Sequence, residues 1–395
     1  MQPSIRDLRI ALVGHGFMGA AHSHAWRAVS RAFDLGIRPV MSVVCGRDMA
    51  ALHATAGRYG WTSVATDWTA VVESPDVDLV DICTPGNLHM PVAVAALRAG
   101  KHVLCEKPLG NSLAEAELMA REASLARARG QQSMVGFNYR RLPALALAHE
   151  LVAEGRLGDI RLVRGTYLQS WLVDPEAPLS WRTSQQQAGS GALGDLGAHV
   201  IDLVHHLTGH RITDVAALTR TFIAERPVAD ASVTRSLREG RSSERGKVTV
   251  DDAVVALGQL DNGALVTLEA TRMAPGRKNA LRIELNGSEG SVWFDLEALN
   301  ELWYFDGRDD SRLNGFRRIH ATEPNHPYLS AWWPPGHGLG YDHSFVHEIG
   351  DLVRAIAGGH DAAPGFGEGL QVQRVLESIA SSSSAAGTWT RVPVE

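Results

Sequence analysis

Three short stretches of this chain carry groups fit for chemistry. The first, Gly14-His15-Gly16-Phe17-Met18-Gly19, follows an apolar run directly and opens a helical one. At that spacing the first glycine makes a tight turn, the second admits a pyrophosphate to the backbone, and the third lets helix and strand pack closely. The pyrophosphate then meets the positive N-terminus of the helix. The second stretch, Cys105-Glu106-Lys107-Pro108, closes another apolar run, which places Lys107 at the carboxyl edge of a sheet, beside a bound nicotinamide. The third begins at Gly189 and predicts a helix over 192–207. At 3.6 residues per turn Asp195, His199, Asp202 and His206 share one face, while Leu193, Leu196, Val200, Leu203 and Leu207 share another.

One expected group is missing. Where an NAD-binding chain carries Asp or Glu at the end of its second strand, this one reads Val44-Cys45-Gly46-Arg47-Asp48. Gly46 in the carboxylate slot removes the acceptor for the ribose hydroxyls, and Arg47 can pair with a 2'-phosphate, which favours NADP over NAD. The alternative is that Arg47 is merely solvated and Asp48 serves the ribose.

The elements that must position these groups follow from periodicity. Apolar runs at 9–13, 40–45, 79–83, 103–105 and 134–137 alternate with helical segments at 17–29, 49–59, 91–99 and 113–129. Alternation of this kind predicts a parallel, doubly wound Rossmann domain over 1–136. Beyond it the order changes to a helix at 144–154, a strand at 161–168, the glycine-rich helix, and strands at 253–260, 264–271, 281–287 and 290–296. Asp261-Asn262-Gly263 reads as a hairpin turn. The expectation for 137–395 is an α+β domain with a large, mainly antiparallel sheet that binds substrate and mediates oligomerisation. Its last helix, 368–386, could pack back on the first domain, with Ser381 to Ser384 fraying its end. Residues 226–251 are polar and aperiodic and read as a mobile loop.

Composition narrows the function classes. With 395 residues, 45% of them hydrophobic, the chain can bury two cores, and a net charge of -6 offers no basic field for nucleic acid or membrane. The three cysteines, Cys45, Cys83 and Cys105, are spaced for neither a disulfide framework nor structural zinc. His343 and His347 are four apart but lack a third ligand, so they read as a solvated helix start and no metal is expected. The N-terminal apolar run is too short for a secretory signal, which makes the cytoplasm the expected location.

Six motifs in order give the chain a resemblance that covers nearly its whole length: GHGFMG at 14–19, CTPGNLH at 83–89, GKHVLCEKPL at 100–109, GFNYR at 136–140, GSGALGDLGAHVIDL at 189–203 and GLQVQRVLESI at 369–379. It resembles the Gfo/Idh/MocA oxidoreductases, and within them sugar and inositol dehydrogenases. The resemblance implies NADP or NAD held by Gly14, Gly16, Phe17, Met18, Gly19, Gly46, Arg47, Thr84, Pro85, Asn87, His89, Glu106 and Lys107. It implies Lys107, Asp195 and His199 as the catalytic set. Oxidising a secondary alcohol requires a base titrating near neutrality at the hydroxyl, which suits His199, and a donor to the developing alkoxide, which suits Lys107. Asp195 would orient that base or bind a neighbouring hydroxyl.

For the substrate, Tyr167, Trp171 and Trp181 offer flat faces to a pyranose, anhydrosugar or cyclitol, and Arg140, Gln169 and Asp195 offer partners for hydroxyls. Trp332, Trp333, His337 and Tyr341 lie in a second aromatic stretch; any one of these rings could instead fill core or a subunit interface. The expected partners are a small sugar or polyol and further copies of the chain, as homodimer or homotetramer. Two other readings stay open: a glycosidase using a transient oxidation by tightly held NAD, and a regulator that binds the dinucleotide without catalysis.

Overall fold

The apolar runs of the first third form a parallel sheet because each is bounded by helices that cover both faces. The computed structural model describes residues 6–229 and 241–394. Its first sheet contains β1 (Asp7–Val13), β2 (Arg38–Cys45), β3 (Ser63–Ala65), β4 (Leu79–Ile82), β5 (His102–Cys105) and β6 (Ser133–Val135). All six run parallel, in the order β3-β2-β1-β4-β5-β6. The order reverses between β1 and β4, and such a reversal opens a ligand crevice at the carboxyl ends of the strands. The connecting helices are α1 (Phe17–Ala32), α2 (Met49–Tyr59), α3 (Trp68–Glu73), α4 (His89–Arg98) and α5 (Leu113–Arg127). Helix α2 begins where the Asp48 side chain accepts from the Ala51 amide and stops at left-handed Gly60.

The second sheet is built by α6 (Pro143–Ala153), β7 (Ile160–Leu168), α7 (Gln185–Ala188), α8 (Ala198–Thr208) and β8 (Ile212–Arg220), followed by β9 (Glu225–Ala229) and β10 (Arg241–Lys247). Then come β11 (Ala253–Leu260), β12 (Leu265–Thr271), β13 (Ala280–Gly287), β14 (Gly290–Asp295), β15 (Glu301–Asp306) and β16 (Arg317–His320). With the terminal β17 (Thr390–Arg391), nine of these strands order as β16-β15-β14-β13-β7-β12-β11-β8-β17. Only the β7–β12 pair is parallel, so the sheet is mixed and mainly antiparallel.

Two long helices remain, α9 (His343–Gly358) and α10 (Phe366–Ser384). By packing, the chain divides into 1–142 with 328–371, and 143–327 with 372–395. The first unit is therefore discontinuous, whereas the sequence reading assigns everything beyond 136 to the second. The physical reason is α9. Its Phe345, Val346, Ile349, Leu352 and Val353 are buried with Leu12, Trp26, Val29 and Leu104 in one core. Burying each such side chain is worth roughly 1.5–3 kcal/mol.

Two further expectations need correction. Residues 226–251 are not wholly a loop: β9 and β10 pair antiparallel across them, although 230–240 lie outside the described residues. Arg226 anchors β9, since its buried guanidinium donates to the carbonyls of Leu172 and Asp174 at 2.6 and 2.8 Å. Nor does the serine run fray. Ser382 and Ser383 lie inside α10, and their hydroxyls accept from the Ala217 and Thr219 amides of β8 at 2.9 and 2.8 Å.

Candidate functional site

In the first unit the glycine motif sits between β1 and α1. Gly14 has φ +100°, and a Cβ there would lie 2.5 Å from the Cys83 carbonyl oxygen; a Cβ on Gly19 would lie 2.2 Å from the Gly14 carbonyl oxygen. Both must be glycine for the turn to close and the helix to pack. A Cβ on Gly16 would meet nothing within 4 Å, so nothing in the fold itself demands glycine there. Phe17 is 68% exposed at the start of α1. The N-terminus of α1 carries no side-chain cap, which leaves its amides for an anion.

The loops after β4 and β5 form the rest of this edge. Thr84 Oγ1 is buried without a hydrogen-bond partner, an arrangement that suits a ligand group. Pro85 precedes a short turn, and Asn87 in that turn is exposed. The ring of His89 is occupied in joining the two loops, within 2.9 Å of the Pro108 carbonyl and 3.1 Å of the Thr84 carbonyl. Lys107 follows Glu106 directly, and its amide donates to the Glu106 carboxylate at 3.3 Å. These features fit a dinucleotide.

At the end of β2, a Cβ on Gly46 would lie 2.3 Å from the His15 ring. The ring of the fingerprint's own histidine thus takes the place of the missing side chain. Arg47 is exposed, and Asp48 spends its carboxylate on capping α2.

In the second unit, a π-turn at Leu193–Gly197 leads into α8. The single 3.6-residue phase expected from Asp195 to His206 therefore does not carry through. The turn is pinned from outside: the Asp251 carboxylate accepts from the Gly191 and Leu193 amides at 2.7 and 2.8 Å. Such local widenings of a helix concentrate at functional sites. The face expected to be polar is largely buried, with His199 6% and Asp202 1% exposed, so α8 is not a surface helix carrying an ordinary charge pair. His206 stacks on His149 with centroids 4.2 Å apart.

A chain of contacts links Asp195 to His199 through five other residues of the unit. The Tyr167 ring meets His199 edge-on at 5.9 Å, and its hydroxyl donates to Asn279 Oδ1 at 2.7 Å. Gln169 Nε2 donates to the same oxygen at 2.6 Å, and Trp171 Nε1 donates to Gln169 Oε1 at 2.8 Å. The fully buried Arg272 lies 5.5 Å over the Trp171 ring and 3.8 Å from Asp195 Oδ2. Trp181 is covered by its neighbour Arg182 at 4.3 Å. The chain of contacts offers an imidazole and a carboxylate, each held in place, beside the rings of Tyr167 and Trp171: a proton acceptor, a hydroxyl acceptor and a surface for C–H faces.

Other candidates fall elsewhere. Arg140 belongs to the first unit, 8% exposed and ion-paired with Glu368 at 3.0 Å. Trp332 and Tyr341 pack against the core of that same unit, while Trp333 is 59% exposed. His347 is not at a solvated helix start. It is fully buried, accepts from Trp332 Nε1 at 2.7 Å, and therefore donates from Nδ1 to the Arg141 carbonyl at 2.8 Å. Burial pushes its imidazole down to about 4.

Sequence reasoning missed Asp251, Arg272, His22 and Asp81. His22 alone left a signal, since Gly19, His22, Trp26 and Val29 recur at helical spacing and put the histidine on the apolar side of α1.

Residues 8–137 match a family described as an oxidoreductase family with an NAD-binding Rossmann fold, and residues 145–293 match the GFO/IDH/MocA C-terminal domain. A levoglucosan dehydrogenase of Pseudarthrobacter phenanthrenivorans is 40% identical over 393 residues, 98% of this chain and 99% of the relative. The crystal structure of an oxidoreductase domain protein from Kribbella flavida is similar with a TM-score of 0.93 and 54% identity, covering 98% of this chain and 100% of that one. Levoglucosan dehydrogenase in complex with NADH and levoglucosan has a TM-score of 0.91 at 39% identity, again covering 98% and 100%. No helix among the described residues is long and apolar enough to cross a membrane.

Proposed function

The chain belongs to the GFO/IDH/MocA family of NAD-binding oxidoreductases, and from that premise we propose that it oxidises a secondary alcohol of an anhydrosugar, pyranose or cyclitol to a ketone. The observation that carries this reading is the near full-length identity to a levoglucosan dehydrogenase, joined to a histidine and an aspartate braced by a polar and aromatic chain. When bound, the nicotinamide supplies the hydride acceptor. His199 takes the hydroxyl proton. Lys107 donates a hydrogen bond to the same oxygen as negative charge develops on it. Asp195, held near Arg272, binds the neighbouring hydroxyl, and Trp171 and Trp181 receive the C–H face of the ring. In the reverse direction the same groups protonate the nascent alkoxide. The test is reduction of added NAD or NADP on levoglucosan, glucose and myo-inositol; no turnover on any polyol removes the reading.

For the dinucleotide, the NADH held by the levoglucosan dehydrogenase relative supports NAD, whereas exposed Arg47 beside Gly46 supports affinity for NADP. Arg47→Ala is expected to raise the Kd of NADPH roughly tenfold, the loss of a charge-assisted contact, while that of NADH stays within about twofold. Fluorescence titration of the two reduced dinucleotides measures both.

The outward face of the second sheet supports a homo-oligomer. Leu218, Val255, Leu257 and Leu265 are 53–61% exposed on the adjoining strands β8, β11 and β12, an apolar patch of the kind that pairs with another copy. Changing Val255 and Leu257 together to lysine is expected to lower the mass seen by light scattering toward that of one chain, with turnover per chain as the control.

A further inference from the structure

The strongest unexplained feature is a buried group of charges beneath the dinucleotide edge of the first unit. His22 of α1 is 0% exposed, as is Asp81 of β4, and Glu106 is 5% exposed. His22 Nδ1 lies 3.0 Å from both Asp81 oxygens, and Nε2 lies 3.0 Å from Glu106 Oε1. A neutral imidazole donates from one nitrogen only, so the other contact would set a lone pair against a carboxylate oxygen. The ring must hold both protons, or one carboxyl must hold one. Trp26 Nε1 adds a donor to Asp81 at 2.7 Å. Burial works against the charged imidazole, but the Asp81 charge and hydrogen bond hold it well above its ordinary value. The other titratable groups around it, Cys83, Tyr341 and Glu348, are each pushed up by burial, Glu348 to about 8. They leave His22 as the cation between two carboxylates.

We propose that His22 is a positioning residue for the nicotinamide end of the site: it fixes the Glu106 carboxylate from beneath and so sets where Lys107 leaves β5. This rests on the dehydrogenase reading above. The mechanical link is short. Glu106 Oε1 is held by His22 while Oε2 accepts the Lys107 amide at 3.3 Å, and a Cβ on Gly136 would lie 3.1 Å from Oε1, so the carboxylate is walled in on that side. Without the imidazole, Asp81 and Glu106 are like charges in a water-poor interior; one would take up a proton or turn away. His22, Asp81 and Cys83 also bring three possible ligand atoms within 4.8 Å of one another. A metal there would have to displace the ring and indole protons and take a thiol that burial keeps protonated.

The experiment compares wild type, His22→Phe, Glu106→Gln and the double variant. His22→Phe keeps the ring and removes both donors. Expected results are a kcat lower by about 10–100-fold, the range for losing a group that orients another, and a weaker NADH Kd. The double variant should be no worse than Glu106→Gln alone, because both changes break one unit. A lowered Tm with unchanged kcat and NADH Kd, or fully additive losses, overturns the proposal. Nitrogen-15 spectra of the wild-type ring provide a readout that survives a misfolded variant and needs no substrate. Both His22 nitrogens should stay protonated at pH values where an ordinary imidazole has lost its second proton; a singly protonated ring there, or stoichiometric zinc in the purified protein, overturns it. If the wild type binds neither NADH nor NADPH, the dehydrogenase reading fails, and the ring spectra still decide the state of His22.

Discussion

His199→Asn is expected to lower kcat by about 10²–10⁴-fold, the usual contribution of a positioned proton acceptor. Asparagine fills much of the same volume and leaves the Tyr167–Asn279 hydrogen bond in place, so the loss should not come from unfolding. The fingerprint glycines belong to the other unit and are unchanged by the substitution, so the Kd of NADH is expected to stay within about twofold. Initial rates followed by nicotinamide absorbance, with Kd from fluorescence, separate the two. Retention of more than about a tenth of wild-type kcat would remove His199 from the role of base.

Lys107→Ala should cost kcat about 10²–10³-fold, as removal of a donor to developing oxyanion charge does elsewhere. Its partner in the prediction is the pattern of KM. If the lysine acts on the alkoxide as it forms, kcat and kcat/KM fall together; if it only binds substrate, KM rises with kcat preserved. The second pattern would leave the proton chemistry to the second unit alone.

The Rossmann half was legible because parallel strands buried on both faces read as unbroken apolar runs, and because helix ends fall on glycines such as Gly100 and Gly130, which both take positive φ. Helix α2 covers the 49–59 that periodicity predicts. What escaped were elements whose reason for existing lies far off in the chain. Strand β3 has three residues and no pattern to detect. Strands β9 and β10 are polar, and β9 is held by Arg226 reaching carbonyls about fifty residues earlier. The candidate site divides in the same way. Lys107, Asp195 and His199 stand in glycine-rich or strand-end contexts that can be read locally. Arg272 and Asp251 brace the Asp195 turn from 56 and more residues away, and the Asp81 partner of His22 is 59 residues distant. Polar pairs across such separations leave no periodicity, so only the fold reveals them.

The placement of α9 matters also for how the chain is made. Ribosomes extend a chain at about 5–20 residues per second. The nucleotide unit emerges through Leu142 early, but the helix that fills its core arrives only after residues 143–327 have been synthesised. For roughly 10–40 s at those rates, the face of α1 with Trp26 and Val29 lacks its cover. During that interval the nascent chain presents an uncovered apolar face, and the core of the first unit closes only once α9 has been made.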